Sequence, residues 1–183
     1  MAIQSTMLAL GTRAPPFRLP DAASGKPVGL TDFQGSQALL VAFVCNHCPY
    51  VKYILDGFIA FAREYQPRGL AVVAISSNDV AAYPADSPDE MAKLARAKEF
   101  TFPYLYDESQ AVARAYDAAC TPDFFLFDAD RRLVYRGQFD GSRPGGPQPV
   151  TGADLRTAAD AVLAGKPVPQ RQIPSIGCGI KWK

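Results

Sequence analysis

The chain has 183 residues, 48% of them hydrophobic and 20% charged, which fits one ordinary globular domain able to bury a sizeable core without disulfide staples. Its 19 basic and 18 acidic residues leave a net charge of +1, so no basic face is available to displace counterions from nucleic acid. The longest apolar run, Ala38 to Cys45, is less than half of what a membrane-spanning helix needs, and no membrane association is expected. The first basic residue is Arg13, with no charged start before an apolar core, so a secretory leader is not read and a cytoplasmic setting is expected.

Residues 11 to 37 carry turn formers (Pro15, Pro16, Pro20, Asp21, Ser24, Gly25, Gly35) around the short segments Phe17 to Leu19 and Val28 to Leu30. They predict a hairpin-like N-terminal extension. The continuous apolar run from Ala38 to Val44 predicts a strand buried on both faces of a sheet. Pro49 then opens a segment to about Tyr65 with Val51, Ile54, Leu55, Phe58, Ile59 and Phe61 at helical spacing. Leu70 to Ile75 is a second buried strand, parallel to the first if the helix is a right-handed crossover.

Ser87, Pro88 and Glu90 supply a cap, a first-turn proline and a capping-box acid for a helix to about Glu99. A short helix is expected from Glu108 to Tyr116, ending before Thr121-Pro122. Phe124 to Phe127 and Leu133 to Phe139 read as antiparallel strands joined through Asp128 to Arg131. A last helix is expected from Thr151 to Leu163, with Thr151 and Asp154 as its capping pair and Gly165 at its end. Residues 166–183 follow as a docked C-terminal tail, Trp182 included. The element order implies an α/β domain with a mixed central sheet and helices on both faces.

Cys45, Asn46, His47 and Cys48 form a Cys-x-x-Cys where the first buried strand gives way to a helix. Unpaired N–H groups and the positive dipole end at a helix start favour a thiolate, the species that attacks a disulfide sulfur, and the second thiol can resolve the mixed disulfide. Zinc binding lacks partners: there is one His, and Cys120 and Cys178 do not make a second Cys-x-x-Cys. No metal or organic cofactor is expected. His47 adjoins both thiols and is read as tuning them, against the alternative of a solvated loop residue. Tyr50, Lys52, Tyr53, Asn78, Asp79, Tyr83 and Asp86 fall near the strand ends that border sites in open α/β sheets, with no catalytic role assigned.

The opening LGTRAPPFRLPDAASGKPVGLTDFQGSQALLVAF, the CNHCPYVK segment, the Thr121-Pro122 pair before a strand and the ending IPSIGCGIKWK resemble the thioredoxin-like proteins of the alkyl hydroperoxide reductase/thiol-specific antioxidant group, also called peroxiredoxin-like or redoxin proteins. The likeness covers nearly the whole chain and implies a thioredoxin fold over residues 1–183, residues 1–37 forming its N-terminal extension. It implies that Pro122 is a cis-proline facing the redox cysteines, so that Cys45, Cys48 and Pro122 carry the chemistry while Asn46, His47, Pro49 and Thr121 tune the site or line a substrate groove. Two registers remain. With one deletion, Cys45 and Cys48 take the places of the two thioredoxin cysteines; without a gap, Cys48 takes the first, attacking place, Val51 the second, and Cys45 becomes an upstream resolving thiol.

Peroxidases of this group place a hydroxyl residue three positions before the attacking cysteine and a proline seven before it. Counting back from Cys48 gives Cys45 and Val41, and from Cys45 it gives Ala42 and Ala38. Neither count matches, and the family arginine before Phe124 to Phe127 is replaced by Cys120, Thr121, Pro122 and Asp123. The expectation is therefore a thiol-disulfide oxidoreductase acting on protein or small-molecule disulfides, with a thioredoxin or glutathione system as electron donor. The alternatives are an atypical thiol peroxidase and a non-catalytic redox-sensing module. Cys120 and Cys178 are candidates for a second redox pair, or for two inert thiols.

Overall fold

The computed structural model describes residues 2–183. Three short strands come first: β1 (Ala2–Gln4), β2 (Arg18–Pro20) and β3 (Pro27–Gly29), the last two pairing antiparallel as the expected N-terminal hairpin. β4 (Ala38–Phe43) is buried at all six positions, as its unbroken apolar sequence requires of a central strand. Helix α1 (Pro49–Tyr65) spans the predicted segment, with Pro at its first position where a missing N–H costs nothing. β5 (Leu70–Ser76) pairs parallel to β4, Ala38 beside Leu70 through Phe43 beside Ile75, so α1 is the crossover.

Helix α2 (Pro88–Ala97) starts at Ser87, whose hydroxyl accepts from the Glu90 N–H, as the capping signal predicts. Strand β6 (Tyr104–Tyr106) is a correction to the sequence reading. Its three residues lack strand periodicity, yet it pairs parallel to β5 and forms one sheet edge. Helix α3 (Ala111–Ala115) is shorter than the predicted Glu108 to Tyr116 because the Asp107 carboxylate takes the Ala113 N–H and holds residues 107–110 as a turn.

Strand β7 (Cys120–Thr121) precedes a cis Thr121-Pro122 bond, as the family resemblance implied. β8 (Asp123–Phe127) runs antiparallel to β4 and β9 (Leu133–Gly137) antiparallel to β8, which completes the five-strand order β6-β5-β4-β8-β9. Helix α4 (Ala153–Leu163) follows, but its cap is not the expected Thr151/Asp154 pair. The first residue outside the helix is Gly152, and the Asp140 carboxylate accepts the Thr151 and Gly152 N–H groups at 2.6 Å each. Asp154 instead accepts from the Gln138 side chain.

Alternate residues of β4 feed two cores. Leu40 and Ala42 face α1, α2 and α4, while Leu39, Val41 and Phe43 face α3 and the N-terminal hairpin through Phe17 and Tyr116. Helices therefore cover both faces, and the architecture is the thioredoxin fold. Among the described residues no helix is long and apolar enough to cross a membrane.

The two ends of the chain meet in a second sheet. Strand β10 (Ile176–Gly179) lies between β1 and β7, placing Cys178 opposite Thr121 and Gly179 opposite Cys120. Glycine at 177 is required, because a Cβ there would run into the Thr121 carbonyl oxygen. Beyond the strand, the Lys181 N–H donates to the Asn78 side chain and the Asp79 N–H to the Lys181 carbonyl. Gly177→Val should therefore detach β10 and destabilise the protein by about 2–3 kcal/mol. Thermal unfolding and limited proteolysis read both effects, and an unchanged melting curve with a protected tail would contradict this packing.

Candidate functional site

The site forms where the first buried strand ends. After Phe43 the chain leaves the sheet, turns through Cys45, Asn46 and His47, and enters α1 with Cys48 as its N-cap residue. Cys48 therefore sits at the helix start, where the first-turn N–H groups lack partners within the helix. Val51 lies one turn inside, and Cys45 lies upstream.

Thr121 closes the site from the opposite side. Its hydroxyl lies 3.4 Å from the Cys45 sulfur and its carbonyl 3.2 Å from that of Cys48. Both thiols are sealed, Cys45 being 1% and Cys48 0% exposed. Pro122 follows in the cis peptide and, with Tyr50, Tyr53, Arg143 and Ile176, lines a cleft on one flank. On the other flank Cys45 and Asn46 border an open groove between α1 and α2 that also carries Lys52, Glu90 and Lys93.

The two thiols are unequal. The Cys48 sulfur is stabilised as a thiolate, to a pKa of about 4, first by the Cys45 thiol and then by Cys178 and the Val51 and Cys178 N–H groups, with burial opposing. Cys45 is held protonated, well above the usual thiol range, first by its bond to Cys48, then by burial and by the nearby Asp86 carboxylate; Thr121 opposes. In its thiol form Cys48 has one acceptor, the Thr121 carbonyl. The helix start at Cys48 and the Asp86 carboxylate near Cys45 favour the proton of the pair on Cys45.

A buried carboxylate organises the connecting loop. Asp86 has no exposed surface; one oxygen accepts the Asn46 and His47 N–H groups at 2.8 and 3.1 Å, the other faces His47 Nδ1 at 2.5 Å and accepts from Asn78 Nδ2 at 2.8 Å. Tyr104 donates to the Asn46 side chain at 3.1 Å, and Tyr83 stacks on the His47 ring with centroids 4.9 Å apart. The imidazole is thereby anchored to Asp86 through Nδ1, while the Cys45 sulfur is 3.9 Å from the same nitrogen. The pair is packed and oriented by this cage, and His47 acts within it as part of the anchor.

Of the residues singled out from sequence, Cys45, Asn46, His47, Cys48, Thr121 and Pro122 are brought together here, and Pro49 starts the helix. Cys120 points away: its thiol is directed at the Pro122 carbonyl and burial raises its pKa far above the thiol range. In the β7-β10 ladder Cys178 stands opposite Thr121 and Cys120 opposite Gly179, so the Cys120 and Cys178 side chains project to opposite faces. Asp86, Asn78 and Tyr83 fell near the site from sequence, but no local pattern disclosed the hub that Asp86 forms with a loop 39 residues earlier.

The Cys45 sulfur, His47 Nδ1 and the Asp86 carboxylate all lie within 4.8 Å of one another, a spacing a small metal ion would require. Both carboxylate oxygens are already occupied by the four donors just described, so this donor set fits the anchoring role and does not fit an ion. Asp123, immediately after Pro122, is a second buried carboxyl. Neither of its oxygens has a hydrogen-bond partner, and burial raises its pKa to about 7.

The profile of the AhpC/TSA family matches residues 10–136. The chain belongs to this family. It is 28% identical over 140 residues to the peroxiredoxin Bcp of Escherichia coli K12, a match covering 70% of this chain and 84% of that protein. Two crystal structures match along almost the entire length. A conserved protein of Geobacillus kaustophilus has a TM-score of 0.98 and 52% identity, covering 100% of this chain and 97% of its own. The protein SMc02350 of Sinorhizobium meliloti 1021 has a TM-score of 0.97 and 56% identity, covering 98% of each chain. Family and relatives place the chain among thiol-dependent oxidoreductases at that coarse level.

Two predictions follow from the carboxyl groups. Asp86→Ala leaves buried donors of Asn46, His47 and Asn78 without an acceptor and should cost about 2–3 kcal/mol in denaturant unfolding, whereas a cost near zero would remove Asp86 as the anchor. Asp123 binds its proton more tightly folded than unfolded, so its contribution is neutral below about pH 4 and increasingly unfavourable as pH rises towards about 7. Asp123→Asn should accordingly stabilise the protein at pH 8 by on the order of 2 kcal/mol while changing little at pH 4.

Proposed function

We propose that this protein is a thiol-disulfide oxidoreductase in which Cys48 is the attacking thiolate and Cys45 the resolving thiol. The observation that carries the reading is the position of Cys48 at the start of α1, at the positive end of the helix dipole, with Cys45 beside it as proton holder. The Cys48 thiolate attacks one sulfur of a substrate disulfide and the other sulfur leaves as a thiolate. Cys45 then loses its proton to that leaving sulfur and attacks Cys48, releasing the second substrate thiol. The substrate gains two electrons and the Cys45–Cys48 disulfide retains the oxidation, to be reduced by an external dithiol. Because both thiols are sealed, a substrate engages only as the cover over them moves aside, which favours small or flexible disulfides.

Peroxide reduction is the second reading, favoured by the likeness to a peroxiredoxin. Cys45 stands where that chemistry uses a hydroxyl three residues before the attacking cysteine. The Thr121 hydroxyl beside Cys45 is the available substitute.

Reaction of the Cys45→Ser/Cys178→Ser double variant, which lacks both neighbouring thiols of Cys48, with a small aromatic disulfide should trap a stable mixed disulfide on Cys48, while Cys48→Ser should lose at least 100-fold in rate. Trapping on Cys45 in the Cys48→Ser variant, at wild-type rate, would reverse the assignment. Consumption of hydrogen peroxide by wild type faster than exchange with the disulfide would make the peroxidase reading primary.

A further inference from the structure

Strand β10 stands where an exchange partner of Cys48 would have to stand. Its ladder with β7 sets Cys178 directly opposite Thr121 and Gly179 opposite Cys120. Opposed residues in an antiparallel ladder project to the same face, so Cys178 shares the face of Thr121, whose hydroxyl meets Cys45, while Cys120 points to the other. Thr121 also offers its carbonyl to the Cys48 sulfur at 3.2 Å. Cys178 packs against the core cluster that contains both Cys45 and Cys48. Glycine at 177 allows this close approach. Exposure separates the three thiols: Cys45 and Cys48 are sealed, whereas Cys178 is half-buried and borders solvent.

We infer that Cys178 is an internal exchange partner of Cys48 that carries the disulfide from the sealed Cys45–Cys48 pair to the surface, where an external dithiol reduces it. The inference rests on the reading of Cys45 and Cys48 as a redox pair. In the first step the Cys178 sulfur attacks Cys48: the Cys48–Cys178 bond forms, the Cys45–Cys48 bond breaks, and Cys45 leaves with the proton given up by Cys178. No electrons are gained or lost. In the second step a thiolate of the external dithiol attacks the Cys178 sulfur and Cys48 departs. The second donor thiol then attacks its own bonded sulfur, releasing Cys178; the donor ends as a disulfide, having supplied two electrons. The sulfur with the lowest pKa leaves fastest, and Cys48 is the one this site stabilises as a thiolate. Cys178, raised to about 11 first by burial and then by Cys48, is a poor free thiolate and is suited to being attacked at the surface.

Two variants of the full chain test this. The Cys45→Ser protein, oxidised with glutathione disulfide and mapped by non-reducing peptide mass spectrometry, should contain a Cys48–Cys178 bond with Cys120 free. Glutathione retained on Cys48 beside a free Cys178, or a Cys48–Cys120 bond, would overturn the inference. The oxidised Cys178→Ser protein should keep its Cys45–Cys48 disulfide and lose it to dithiothreitol at least tenfold more slowly than wild type. An unchanged rate would overturn the relay while leaving the redox pair standing. Absence of the Cys45–Cys48 bond from both oxidised wild type and Cys178→Ser would instead sink the redox pair, with the Cys45→Ser map still deciding the Cys48–Cys178 contact.

Discussion

Thr121 is the residue on which the rest of the site depends. Its hydroxyl faces Cys45, its carbonyl faces Cys48, its backbone pairs with Cys178, and the cis bond to Pro122 follows it. Three separate parts of the chain therefore meet across one residue of a two-residue strand. Two larger structures hold it there. β8 continues from Pro122 into the central sheet with Asp123 beside Phe43 of β4, so the cis peptide is tied to the strand that delivers the cysteines. On its other side the β1-β10-β7 sheet closes the chain over the site.

Ordering of this kind divides one proton between two sulfurs. An isolated pair of buried thiols would remain protonated, because burial penalises the anion. Here Cys48 stands at the α1 start with the Cys178 strand packed nearby, whereas Cys45 faces the Asp86 carboxylate. The same carboxylate anchors the connecting loop and, through Asn78, the backbone at Lys181. One buried charge thus links the redox loop to the strand that covers it.

The parts of the fold set by local pattern were legible in the sequence. The unbroken run Ala38 to Phe43, the helical spacing from Pro49 to Tyr65 and the capping signal at Ser87 each correspond to an observed element, because each feature acts within a few residues of itself. Cys45 and Cys48 were legible as a pair for the same reason, whereas Pro122 was set opposite them only by the family resemblance. The β1-β10-β7 sheet was not, since strands of two to four residues carry no periodicity and pair Ala2 with Cys178 from opposite ends of the chain. Nor were the cap of α4 and the role of Asp86, where a carboxylate from elsewhere in the chain supplies what local side chains did not. Cys48 stands immediately before the helix that Pro49 opens, as the sequence already implied.

The assignment of the proton is the central claim, and it can be read directly. Carbon-13 labelling of the cysteine β-carbons, followed by an NMR pH titration of the reduced protein, reports each thiol separately. The Cys48 resonance should keep its thiolate shift from neutral pH down to about 5 and move only on further acidification, while Cys45 stays a thiol to at least pH 9. A Cys45 resonance that titrates below that of Cys48 would contradict the account.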